Sequence, residues 1–163
     1  VSKLVSFIKE VSLHCPDVPL YYYHIPMFTQ VDLPMAEFMK LAKSEVVNFA
    51  GIKYTSGDLE KGILCLKHGQ VFLGADTILV GAVALGFDSA IMTSLNIIPE
   101  YSILILQLMK AGKIEEAREH QKKINEFVKT TLQAGGGDWV QKKKKAFNET
   151  FSNLSLGPVR KPL

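Results

Sequence analysis

The chain has 163 residues, 47% of them hydrophobic and 21% charged, with a formal net charge of +3 at neutral pH. That is the composition of a globular domain, not of a disordered segment, and the charge is too mild to argue for a nucleic-acid partner. No apolar run has the length of a membrane span, and Lys3, Lys9 and Glu10 break up the opening "VSKLVSFIKEVSLHC", so it does not read as a signal peptide. Two cysteines, Cys15 and Cys65, do not make a disulfide framework; they read as free thiols in a reducing, cytoplasmic setting.

Val1 leads directly into a helical pattern, which gives the expectation that the sequence is cut from something longer. Residues 2–14 place Leu4, Val5, Ile8 and Val11 at helical period, and "CPDVP" stops the helix. "LYYYH" reads as a first strand ended by Pro26. Residues 34–43 read as a helix and "VVNFAGIKY" as a second strand. In "SGDLEKGILCLKHG", Ser56 or Asp58 caps a helix and Gly69 stops it. "QVFLGAD" is a third strand, 77–86 a helix ending at Gly86, and "DSAIMTS" a fourth strand. Helices at 98–110 and 114–132 follow, then a hinge or loop at Ala134–Gly137, a helix at 138–151, and an extended "LGPVRKPL".

Strands alternating with helices imply parallel pairing through right-handed crossovers. An open doubly wound sheet and a piece of a (β/α)₈ barrel both fit. No Gly-rich phosphate loop follows any strand, which weakens the dinucleotide-binding version. A whole barrel takes roughly 250 residues and eight strands, so the strands read here cannot close one alone.

In a barrel, chemistry gathers at the C-terminal strand ends. Tyr23 and His24 end the first strand, and Lys53 and Thr55 end the second, with their i, i+2 spacing on one face. Asp76 and Thr77 follow the third strand; Thr93 and Ser94 end the fourth. Lys53 is either a lysine that snorkels to water or an amine that attacks a carbonyl; the second role needs a free base, which burial promotes. Tyr23 has the bland alternative of core filling, as do Tyr21 and Tyr22. His24 is expected to be a hydrogen-bonded structural histidine, and Lys142–Lys145 a solvated helix face without the aromatic residues of a nucleic-acid site. Asn148 and Asn153 match the glycosylation pattern, which a cytosolic protein would not use.

"YYYHIP", followed about thirty residues later by "GIKYTSGD", resembles the N-acetylneuraminate lyase branch of the pyruvate-dependent class I aldolases, the superfamily that includes dihydrodipicolinate synthase. "G-I-K-x-[ST]-x-x-D" is shared across that superfamily, and "YYYHIP" is closer to the animal lyases. The resemblance runs over nearly the whole chain, to the closing "GPVRKPL". It implies the C-terminal half of a TIM (β/α)₈ barrel, about four βα units in an α/β fold, plus a helical extension. Residues 1–97 would be the partial barrel, carrying strands five to eight, and 98–163 its last helix and the extension. It further implies Lys53 as the Schiff-base lysine, Tyr23 as the proton-moving tyrosine, and Thr55, Gly74, Asp76, Thr77 and Thr93 as positions near the sugar. The implied reaction is aldol cleavage of sialic acid to N-acetylmannosamine and pyruvate, without metal or external cofactor. The complete protein would be a cytoplasmic homotetramer with small-molecule substrates, no nucleic acid and no membrane. The chain alone is expected to be inactive.

The sequence departs from the family pattern at three places. Thr77 stands where "G-x-D-E" has its carboxylate, and Met92 where "G-S-T-x-N" begins with Gly, although Asn96 fits. The Gly-Ser/Thr-Thr-Gly-Glu-type loop that binds the pyruvate carboxylate has no counterpart in these residues. A synthase-like pyruvate aldolase, or a noncatalytic truncated relative that serves as a structural or oligomer partner, are the alternatives.

Overall fold

The computed structural model describes residues 1–133 and 138–160; the expected loop at 134–137 and the last three residues of the expected extended tail lie outside the described residues. The chain divides into two compact units, Val1–Ala75 with Gly81–Ile91, and Asp76–Val80 with Met92–Leu163.

The first unit is built on a parallel sheet of four strands in the order β1 (Leu20–His24), β2 (Phe49–Tyr54), β3 (Gln70–Leu73) and β4 (Ser89–Ala90). Helix α1 (Ser2–His14) precedes it. A one-turn helix α2 (Pro26–Thr29) and helix α3 (Met35–Glu45) join β1 to β2. Helix α3 buries Met35, Phe38, Met39 and Ala42, an i, i+3, i+4, i+7 stripe that faces the sheet. Phe38 meets Tyr22 at 5.1 Å and Phe49 at 5.6 Å between ring centroids. The Asn48 side chain ties α1 to the start of the sheet: its Oδ1 accepts from Ser12 Oγ at 2.8 Å, and its Nδ2 donates to the Cys15 and Val18 carbonyls at 2.7 Å each. Asp58 caps α4 (Leu59–Ile63) by accepting from the Lys61 amide at 3.1 Å.

Helix α5 (Leu79–Ala84) begins in the second unit and ends in the first. The second unit otherwise consists of α6 (Pro99–Lys110), α7 (Ile114–Phe127) and α8 (Trp139–Thr150). Helices α6 and α7 pack together, burying Ile105, Ala117 and Ile124. Asp138 caps α8 through the Val140 and Gln141 amides at 2.7 and 3.2 Å.

Several expectations need correction. Pro26 starts α2 instead of merely ending a strand, because the first helical position tolerates a missing N–H. The expected helix before Gly69 breaks into α4 and a tight turn at Leu66–His68. The fourth strand shrinks to two residues, with one further bond from the Ile91 amide to the Leu73 carbonyl at 2.8 Å. The helix expected over 114–132 widens after Phe127 into a π-helical turn, Val128–Gln133. The lysine run is not simply solvated, because Lys144 Nζ donates to the Gly157 and Pro158 carbonyls at 3.1 and 2.8 Å. Beside it, Asn148 bonds both the amide and the carbonyl of Leu156, at 2.7 and 3.0 Å.

His24 also differs from expectation. It is 1% exposed and stacks on Tyr54 at 5.0 Å with 14° between the rings, yet neither ring nitrogen has a hydrogen-bond partner. Asp32 Oδ1 stands 3.9 Å from Nε2, too far for a hydrogen bond. Burial pushes the His24 imidazole below its ordinary range, while the Asp32 carboxylate pulls weakly the other way. The unfolded chain therefore takes up the proton first. Stability from this site is complete above about pH 6.5 and is lost as pH falls through the lower folded value. His24→Phe keeps the stacked ring and removes the titration. Between about pH 7.5 and pH 5 its melting temperature should fall less than that of the parent; equal falls in both proteins would contradict this account of the buried ring.

Candidate active site

The sheet register decides which side chains share a face. Tyr23 pairs with Lys53, and Lys53 with Phe72, while Tyr21 pairs with Gly51. Successive strand residues alternate in direction, so Tyr21, Tyr23, Lys53 and Phe72 stand on one face. The Tyr21 and Phe72 rings meet at 5.3 Å, as that assignment requires. The opposite face carries Ile52, Tyr54, Val71 and Leu73, all buried. Gly51 is needed in this row because a Cβ there would run into the Gln70 carbonyl of the neighbouring strand.

Lys53 Nζ lies over the Tyr23 ring, 4.0 Å from its centroid, which is cation–π distance. Burial would promote the amine role; Lys53 is only half-buried, and Tyr23 is 46% exposed. The reason is that α3 packs on the other face of the sheet, leaving this one open. Tyr21 is likewise 46% exposed and does not fill the core.

Thr55 and Gly74 complete the C-terminal end of the same sheet. The Thr55 hydroxyl donates to the His24 carbonyl at 2.6 Å, and the Gly74 amide to the Tyr54 carbonyl at 2.7 Å. A Cβ on Gly74 would sit 2.5 Å from Thr55 Cγ2, so the close approach of the two strand ends depends on glycine. The first unit thus gathers Tyr23, Lys53, Thr55 and Gly74 at adjacent strand ends.

The other three candidates belong to the second unit. Asp76 opens a tight turn, Asp76–Ile78, and its carboxylate accepts from the Ser94 amide at 2.7 Å and the Thr93 amide at 3.3 Å. Thr77 is exposed. Thr93 starts the turn Ser94–Asn96, and its carbonyl accepts from Asn96 Nδ2 at 3.1 Å. Met92 is 4% exposed, so its side chain is buried. A reading of the sequence passes over Gln121, a buried glutamine on α7 that reaches this turn; nothing local in "REHQKKIN" marks it.

Two concavities lie elsewhere. One is lined by residues 32–36 with Lys61 and Leu64, the other by α8 and the 156–159 tail. Among the described residues, no cluster of three or more His, Cys, Asp or Glu is placed to hold a metal ion. Both cysteines are free, and burial pushes the Cys65 thiol up to about 11.

The profile of the dihydrodipicolinate synthetase family matches residues 1–162. The N-acetylneuraminate lyase of Xenopus tropicalis is 31% identical over 98% of this chain and 52% of its own length. That of Danio rerio is 34% identical over 96% of this chain and 52% of its own. Among solved structures, N-acetylneuraminate lyase (sialic acid aldolase) from Aliivibrio salmonicida superimposes with a TM-score of 0.86 at 29% identity, over 99% of this chain and 53% of its own. The chain therefore spans about half the length of the relatives it matches, consistent with a C-terminal half of their TIM barrel. With a family match over all but its last residue, the chain belongs to the dihydrodipicolinate synthetase family.

Proposed function

We propose that this chain supplies the Schiff-base half of a class I aldolase that cleaves N-acetylneuraminate to N-acetylmannosamine and pyruvate. The observation that carries the proposal is the pairing of Lys53 with Tyr23 on an open sheet face, the amine 4.0 Å from the ring. The similarity to the lyases supports the choice of substrate.

In this reading Lys53 Nζ attacks the C2 carbonyl of the open-chain sugar acid, and water leaves to give a protonated imine. The C4 hydroxyl gives up its proton, with Tyr23 in the transfer. The C3–C4 bond breaks, its electron pair runs into the imine, and N-acetylmannosamine departs as the aldehyde. Protonation of the resulting enamine at C3 and hydrolysis of the imine release pyruvate and restore the amine. The reaction needs no redox partner or external cofactor. Gly74 lets the strand ends close up, and Thr55, Asp76, Thr77 and Thr93 serve the sugar end. We assign residues 1–97 to the barrel portion and 98–163 to its last helix and the extension. The complete protein would be a cytoplasmic homotetramer, a location that the two free cysteines support.

A second reading, a noncatalytic relative acting as a structural partner, draws support from the exposure of Tyr23 and the half-length match. One experiment separates the two. Borohydride reduction in the presence of pyruvate should add a stable mass to the peptide bearing Lys53, and Lys53→Arg should abolish it. Labelling of another lysine would overturn the assignment to Lys53, and no labelling in an intact barrel would support the noncatalytic reading. Tyr23→Phe should leave that trapping nearly intact while lowering turnover about 10²–10⁴-fold, the range for a lost proton-transfer group. Turnover at the parent rate would reduce Tyr23 to a packing role.

A further inference from the structure

We infer that Gln121, on helix α7 of the C-terminal extension, is a positioning residue for the sugar end of the site: it clamps the Asp76–Val80 turn, and through Asp76 it fixes Thr93 and Ser94. The functional half of this inference rests on the aldolase reading above.

Gln121 is 9% exposed and lies in the same helical row as Ala117 and Ile124, both fully buried. An amide in such a row is costly unless its donors and acceptor are satisfied. Here they are filled by one short segment. Oε1 accepts from the Val80 amide at 3.0 Å, and Nε2 donates to the Asp76 carbonyl at 2.9 Å. Nε2 also lies 2.9 Å from Asn125 Oδ1, one turn along the helix. A single side chain therefore ties the start of the turn that displays Thr77 to Val80 at the beginning of α5.

The turn passes the constraint on. While its carbonyl is held by Gln121, the Asp76 carboxylate accepts from the amides of Thr93 and Ser94. Of the sugar-end candidates, Asp76 and Thr93 thus lie on one hydrogen-bonded path that starts at α7, and Thr77 sits next to Asp76 in the turn it holds. Gln121 reaches them through backbone atoms and presents no group to a substrate. In this inference the helical extension orders the turns that carry Asp76, Thr77 and Thr93, all within one unit.

The test uses the complete barrel that contains this chain, with two substitutions. Gln121→Met keeps length and loses every bond; Gln121→Glu keeps the acceptor for Val80 and loses the donor to Asp76. Amide hydrogen exchange, read residue by residue, should rise about tenfold at Val80, Thr93 and Ser94 in Gln121→Met, the scale of one lost hydrogen bond. Gln121→Glu should restore Val80. The dissociation constant for N-acetylmannosamine, followed at the Thr77 amide, should rise about tenfold in Gln121→Met. Pyruvate trapping on Lys53 should not change.

Faster exchange at Val80 alone would overturn the inference, because the path to Thr93 would be absent. Unchanged sugar affinity despite faster exchange at all three amides would overturn the specificity role. A parallel loss of pyruvate trapping would show general destabilisation, and overturn it too. A complete parent barrel that neither binds N-acetylmannosamine nor traps pyruvate would instead sink the aldolase reading. In that case the exchange measurement still decides whether α7 holds the Thr93 turn.

Discussion

A parallel sheet is stable when both of its faces are covered, and in the first unit of this chain the helices cover one. Ile52, Tyr54, Val71 and Leu73 are buried on the side where α3 packs. Tyr21, Tyr23, Lys53 and Phe72 stand on the other side, and the two tyrosines remain nearly half exposed. That asymmetry accounts for the half-buried lysine. In a complete barrel the second face would turn inward and be filled by side chains from the remaining strands. The chemistry proposed for Lys53 depends on that enclosure, since a nucleophilic amine requires the free base.

The strand ends show how close packing and the site are linked. Thr55 commits its hydroxyl to the His24 carbonyl, and Gly74 leaves room for the Thr55 methyl. These contacts draw β1, β2 and β3 together where Tyr23 and Lys53 emerge. Beneath them, His24 and Tyr54 stack with no hydrogen bond to the imidazole. Leaving two ring nitrogens unsatisfied in a core is destabilising, and it makes the stability of the site's foundation sensitive to acid.

Much of this was legible in the sequence, and the misses have specific causes. Helical period located α1, and the capping signal at Ser56 or Asp58 located the start of α4, because those signals are local. The "GIKYTSGD" motif placed Lys53 on a strand, and the i, i+2 rule placed it on a definite face. Its exposure was not legible, since that depends on which elements pack above the sheet. The role of Pro26 was ambiguous, as proline both ends strands and begins helices. The orphaned nitrogens of His24 and the reach of Gln121 across 41 residues to Val80 are products of tertiary packing. Neither leaves a mark in neighbouring residues.

The most direct test of the central claim is a crystal structure of the borohydride-reduced pyruvate adduct. The account predicts a covalent bond from Lys53 Nζ to the pyruvate C2 on the open face of the sheet. The Tyr23 hydroxyl should lie within hydrogen-bonding distance of the adduct. An adduct on a different lysine, or one on Lys53 turned away from Tyr23, would contradict it.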